Sequence, residues 1–225
     1  TVGDFSMLEL YPSLMVTQQV ESLQVFSGVE TPNKYRIIDM DGADVAYAYE
    51  ESGFLARQVL RNHRPMSIRL MDAQGTVVLT ASRKFFWFLS HLEIEGPGAV
   101  RGGRIDRRLK FPGRSYEISD GQGTTLELVG PPFRPHTFKL MRDGIEVGRI
   151  TKRWSGASRE IFTTADTFQV AFESQEEGAP APVDDLRLRD QQIAPLSEAM
   201  RWVMLGAAIV IDLDFFDSRS RGGGR

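Results

Sequence analysis

The chain has 225 residues, 41% hydrophobic and 25% charged, a composition that excludes disordered and collagen-like classes and suffices to bury a sizeable core. It has no cysteine, which removes disulfides, thiol catalysis, zinc-thiolate sites, iron-sulfur clusters and S-palmitoylation. The net charge of -3 argues against a dedicated nucleic-acid binder, so no nucleic-acid partner is expected.

Residues 1–30 read as a helical or extended lead-in. Its opening, TVGDFSMLEL, has acids and no basic run, so no secretory signal is read there. After Pro12, Val16, Val20 and Leu23 fall at i, i+4 and i+7, which predicts a short helix. From residue 31 onward, short alternating segments are punctuated by Asp41-Gly42, Gln74-Gly75, Asp120-Gly121-Gln122-Gly123 and Asp143-Gly144, the pattern of successive β-hairpins.

The middle of the chain repeats. Pro65 to Met71 with its turn at Gly75 matches Pro135 to Met141 with its turn at Gly144, 70 positions on before the turn. Upstream of each copy lies a further hairpin, Tyr35-Arg-Ile-Ile with Val45-Ala-Tyr-Ala and Tyr116-Glu-Ile-Ser with Thr125-Leu-Glu-Leu. Two strand-rich halves remove their edges by closing on one another.

Near the end, Trp202 to Ile211 is uninterrupted by any polar residue and is bracketed by Arg201 and Asp212. Ten helical residues span about 15 Å, half of the ~30 Å hydrocarbon core, so the run reads as a buried helix over about 197–216. The fold predicted is mainly β: a closed antiparallel barrel of about twelve strands with an internal two-fold repeat, threaded by that helix. It occupies 31–217, with a disordered tail over 218–225.

Several segments carry the marks of a site. In Arg83-Lys84-Phe85-Phe86-Trp87-Phe88-Leu89, a strand would put Phe85, Trp87 and Leu89 on one face and Phe86 and Phe88 on the other. One set is then exposed, either anchoring in a membrane interface beside Arg83 and Lys84 or covered by a loop or a dimer partner. The run Arg101 to Lys110 holds Arg101, Arg104, Arg107, Arg108 and Lys110 against Asp106, and reads as a surface for anionic lipid or as a solvated loop. Residues 148–157 read as a strand and turn, although Arg149, Lys152 and Arg153 mimic an import signal. The stretch from Glu173 to Asp190 is acidic and contains Ala179-Pro-Ala-Pro182, a loop signal. His63, His91 and His136 lack metal-ligand spacing, and no phosphate loop or nucleophile elbow is present, so no enzyme is expected. Asp212 and Asp214 point to different helix sides; Asp212 is expected to pair with an Arg or backbone donors at the barrel mouth.

In combination and order, Gln24-Val-Phe-Ser-Gly-Val-Glu-Thr-Pro-Asn-Lys-Tyr35, Arg64-Pro65, Met71-Asp72, Gly148-Arg-Ile-Thr-Lys-Arg-Trp-Ser-Gly156, Arg159 to Thr163, Ala165-Asp-Thr-Phe168 and Ile211-Asp-Leu-Asp-Phe-Phe216 resemble the phospholipid scramblases. The resemblance covers about Leu8 to Asp217. It implies a twelve-stranded barrel around a hydrophobic C-terminal helix, similar to the Tubby C-terminal domain. It also implies calcium-stimulated, ATP-independent movement of phospholipids between leaflets by a protein at the cytoplasmic face of a membrane, with anionic phospholipid and other proteins as partners. The family's palmitoylated cysteine cluster falls on Arg83 to Leu89, where every cysteine is absent. Its calcium segment falls on Thr164 to Gln175, where Asp166 alone survives of three acids; Glu173 and Glu176 are candidate substitutes and weak binding is expected, while the stretch also reads as a strand, Thr167 to Phe172, with Phe168, Val170 and Phe172 inward. A helix that fills a barrel cannot also span a bilayer, so a peripheral lipid-binding or protein-interaction barrel without intrinsic scrambling is the alternative.

Overall fold

A computed structural model describes residues 5–19, 33–51, 63, 65–153, 167–174 and 194–216. Twelve antiparallel strands close into a barrel: β1 (Ser13–Gln19), β2 (Lys34–Ile38), β3 (Asp44–Glu51), β4 (Met66–Asp72), β5 (Val77–Arg83), β6 (His91–Glu95), β7 (Arg104–Arg108), β8 (Arg114–Ser119), β9 (Thr125–Gly130), β10 (Thr137–Arg142), β11 (Ile145–Arg153) and β12 (Thr167–Ala171). Consecutive strands pair from β1 to β12, and β1 closes the ring on β12 with Ser13 opposite Ala171 and Thr17 opposite Thr167. The helix α1 (Glu198–Phe215) fills the inside, and every residue from Ala199 to Asp214 is buried.

The strands form where apolar residues alternate. In β6 Leu92 and Ile94 face in while His91, Glu93 and Glu95 face out, and β9 turns Leu126 and Leu128 inward between Thr125 and Glu127. The tight turns use one device repeatedly: the side chains of Asp39, Asp72 and Asp120 each accept backbone N–H bonds from residues two and four positions on. At the β10–β11 turn Asp143 and Gly144 both take positive φ, as a two-residue hairpin demands.

The repeat seen in sequence is the geometry of the ring. Strands β2 to β5 recur as β8 to β11, six strands on, so the halves lie across the barrel from each other. Even the irregularities recur: the β4–β5 register shifts between Leu70 and Met71, and the β10–β11 register between Leu140 and Met141.

Three expectations are corrected. The segment after Pro12 is strand β1, not a helix, and barrel strands therefore begin before residue 31. The i, i+4 spacing of Val16 and Val20 is shared by one face of a strand, and pairing with both β2 and β12 decides between them; Val20 and Leu23 lie outside the described residues. Residues 84–90 are a loop after β5, not a strand, because with α1 inside, a strand apolar on both faces could bury only one of them. The basic run is no loop: β7 occupies Arg104–Arg108 with Ile105 buried inward. The tail over 218–225 lies outside the described residues.

The start of α1 is held by three contacts. The Ser197 hydroxyl caps Met200 N–H at 3.2 Å, and the Arg201 guanidinium donates to the carbonyls of Leu8 and Tyr11 at 2.9 and 2.8 Å. Glu198 Oε1 accepts from Leu8 N–H and from Trp202 Nε1 at 3.1 and 3.0 Å. Burial, the largest cause, raises the Glu198 pKa above its usual 4.5 against those donors. The native state therefore holds that proton more tightly than the unfolded chain, and stability falls as pH rises through the folded pKa. Glu198→Gln keeps the carbonyl acceptor and removes the charge. Urea unfolding from about pH 4 to pH 7 should show the wild type losing stability relative to this variant as pH rises.

Candidate functional site

Because neighbouring strands are antiparallel, connections alternate between the two ends of the barrel. The start of α1 lies at the end that carries the Asp-rich turns, where Ser197 Oγ approaches Asp120 and Arg142 donates to the Ala194 carbonyl. Its C-terminus emerges at the other end, among the β5–β6, β7–β8 and β9–β10 loops. There Phe215 lies beneath the guanidinium groups of Arg107 and Arg114 at 4.8 and 4.6 Å, and the Lys152 ammonium sits 4.0 Å from the Phe216 ring centre.

Two carboxylates enter this end of the core. Asp214 receives the Arg83 guanidinium at 2.8 Å and the Tyr116 hydroxyl at 2.9 Å, and Arg83 also donates to Ser90 Oγ. Asp212 accepts from the Tyr35 hydroxyl at 2.9 Å, with the Lys152 ammonium 3.8 Å away. Tyr35 and Lys152 are thus partners of Asp212 among the described residues. Burial first, and the adjacent Asp214 charge second, push the Tyr116 phenol well above its usual pKa of 10, so it remains a donor.

These two clusters are copies of each other. Tyr35 and Tyr116 hold matching positions in β2 and β8. Ile68 pairs with Ala81 where Phe138 pairs with Ile150, which puts Arg83 and Lys152, two residues further on, in matching positions as well. Each cluster joins a tyrosine from one half of the barrel to a cation from the other. Sequence reading singled out Asp212 and Asp214 but missed their partners: Tyr35 and Tyr116 lie 81 positions apart and Arg83 and Lys152 only 69, so no single offset aligns both pairs.

The surface residues sort differently from their order in the chain. Arg83 is no lipid contact: its side chain is fully buried in the Asp214 pair. Beyond it Trp87 and Phe88 are 75% and 88% exposed, Lys84, Phe85 and Leu89 are exposed, and Phe86 folds back between Arg83 and His63. The basic run is divided by β7, which carries Arg101 and Arg104 at the Asp-turn end and Arg108 and Lys110 at the other. Arg107 leans over Phe215, Arg108 pairs with Glu117 at 2.8 Å and Lys110 with Glu127 at 2.6 Å.

Of the acids of the calcium segment, Asp166 and Glu176 lie outside the described residues, and Glu173, just past the end of β12, is exposed. Among the described residues no group of three His, Asp or Glu side chains could hold a metal ion.

A family model described as Scramblase matches residues 3–218. The chain is similar to phospholipid scramblase 1 of Mus musculus, 31% identical over 223 residues, covering 91% of this chain and 61% of the relative. It is similar to altered inheritance rate of mitochondria protein 25 of Saccharomyces cerevisiae, 26% identical with 93% and 72% covered. A third relative is phospholipid scramblase family member 5 of Homo sapiens, 28% identical with 93% and 75% covered. The chain thus spans about three fifths of the mouse relative's length. No solved structure matches.

Proposed function

The chain belongs to the scramblase family, and on that premise we propose that it acts on phospholipid at a bilayer surface, promoting exchange between leaflets without making or breaking covalent bonds. The observation that carries the peripheral part of this reading is the burial of α1 from Ala199 to Asp214 inside the barrel. Among the described residues no helix is long and apolar enough to cross a membrane. A headgroup path through the barrel is blocked by the same helix, so lipid exchange would run along the outside, where the protein perturbs the leaflet it touches. The anionic cytoplasmic leaflet is the surface proposed.

The filled barrel favours a second reading, a lipid-binding or protein-interaction module that does not itself scramble. Flotation of the purified chain with phospholipid vesicles, followed by a dithionite scrambling assay, separates the two. Flotation with scrambling supports the first, flotation without it supports the lipid-binding module, and no flotation overturns both membrane readings and leaves the protein-interaction module.

Calcium should matter little to either. With Thr164 and Gln175 standing where the family has acids, titration calorimetry should give a dissociation constant of about 0.1–1 mM or weaker. A micromolar constant abolished by Asp166→Asn would overturn this expectation.

A further inference from the structure

The described residues expose five Phe or Trp side chains: Phe85, Trp87, Phe88, Phe111 and Phe133. All of them sit on the β5–β6, β7–β8 and β9–β10 loops, at the end where α1 emerges. Phe111 is 99% exposed and Phe133 95%, and Leu109 beside them is 87% exposed. Isolated apolar side chains on a surface are ordinary, but the same large type at the tips of three loops on one end is not. They are carried on three separate loops, as side chains are that enter a soft, planar partner.

Charge follows the same division. The three loops, KFFWFLS (84–90), LKFPG (109–113) and PPFRPH (131–136), carry Lys84, Lys110 and Arg134 and no acid. The turns at the opposite end and the strand residues that border them carry Asp39, Asp41, Asp44, Asp72, Glu95, Asp120 and Asp143 against Arg101, Arg104 and Arg142. A cation beside each aromatic group suits the headgroup layer of an anionic bilayer, into which an aromatic ring partitions while its charged neighbour stays at the surface. An acidic end is repelled by the same surface.

We propose that the barrel docks on phospholipid end-on, with Trp87, Phe88, Phe111 and Phe133 entering the interface and the Asp-rich turns pointing away from it. The proposal rests on the membrane reading above and adds an orientation to it. It also removes Arg101 and Arg104 from the contact, since β7 carries them to the far end. Lys110 and Arg108 are already paired with Glu127 and Glu117, so aromatic insertion outweighs charge in holding the protein there.

The absence of cysteine allows a direct test. Single variants Phe111→Cys and Phe133→Cys, at the docking end, and Gln74→Cys and Gln122→Cys, at the far end, are labelled with an environment-sensitive fluorophore. Each is mixed with vesicles of phosphatidylcholine containing phosphatidylserine. Emission should shift to the blue at 111 and 133 and stay unchanged at 74 and 122. Phe111→Ser combined with Phe133→Ser should lower vesicle partitioning about tenfold or more, at both about 0.1 M and 1 M salt, with thermal stability unchanged. Flotation with a shift at 74 or 122, or at none of the four, overturns the orientation and leaves the membrane reading standing. No flotation overturns both; if dimerisation lost in the double Ser variant accompanies it, the aromatic end belongs to a second copy of this chain.

Discussion

Truncation before Ser197 is expected to yield insoluble or molten protein rather than a smaller folded barrel. The inward side chains of the strands form one buried core with those of α1, to which the 3-10 turns Phe5–Leu10 and Gly98–Val100 add Leu8 and Val100. Met200, Trp202, Val203, Met204, Leu205, Ile209, Val210, Ile211 and Leu213 are each 2% exposed or less. At about 1.5–3 kcal/mol for burying each such side chain, their loss is comparable to or larger than the whole ~5–15 kcal/mol by which a domain is stable. The closed ring of paired strands holds the walls apart, so they cannot collapse to fill the gap. Exclusion chromatography and near-UV circular dichroism of the truncated chain would read the outcome, and a monodisperse protein with native near-UV signal would mean that α1 is a dispensable attachment.

That helix was legible from composition alone, since ten apolar residues between charges are too few for a bilayer and too many for a surface. The twofold barrel was legible for a similar reason: hairpin turns and a repeated strand pair leave local traces that survive without any contact information. Strand β1 was not, because three apolar positions fit a helix face and a strand face nearly equally, and closure against β12 is a contact across most of the chain. Linear proximity misled in one further place. Arg101 to Lys110 looks like one basic patch, yet an extended strand runs through it and carries its charges to opposite ends. A strand moves about 3.3 Å per residue, so a charge run of this length is a patch only if it is not a strand. The aromatic residues of 85–88 stood out as a cluster. Phe111 and Phe133 did not, since a lone Phe in a sequence is read by default as core.

Arg83→Met should be among the most damaging single substitutions in the chain, costing about 3–5 kcal/mol, because it leaves the Asp214 carboxylate buried without its cation. Asp214 and Arg83 side chains are 2% and 0% exposed, so water cannot take the missing partner's place. Tyr116 would still donate to Oδ2, but a neutral hydroxyl does not balance a buried charge. Asp214→Leu alone should be nearly as harmful, because it removes the carboxylate that faces the buried Arg83 guanidinium. The double variant is the informative one. With both charges gone, their desolvation cost goes too, and the pair should recover most of the loss of either single change, giving a coupling energy of about 2 kcal/mol or more in a denaturant double-mutant cycle. The matching cluster provides the control. Lys152 approaches Asp212 only to 3.8 Å and shares itself with the faces of Phe168 and Phe216, so Lys152→Met with Asp212→Leu should couple less strongly. Arg83→Met within about 1 kcal/mol of wild type would mean that the barrel end does not depend on this charge pair.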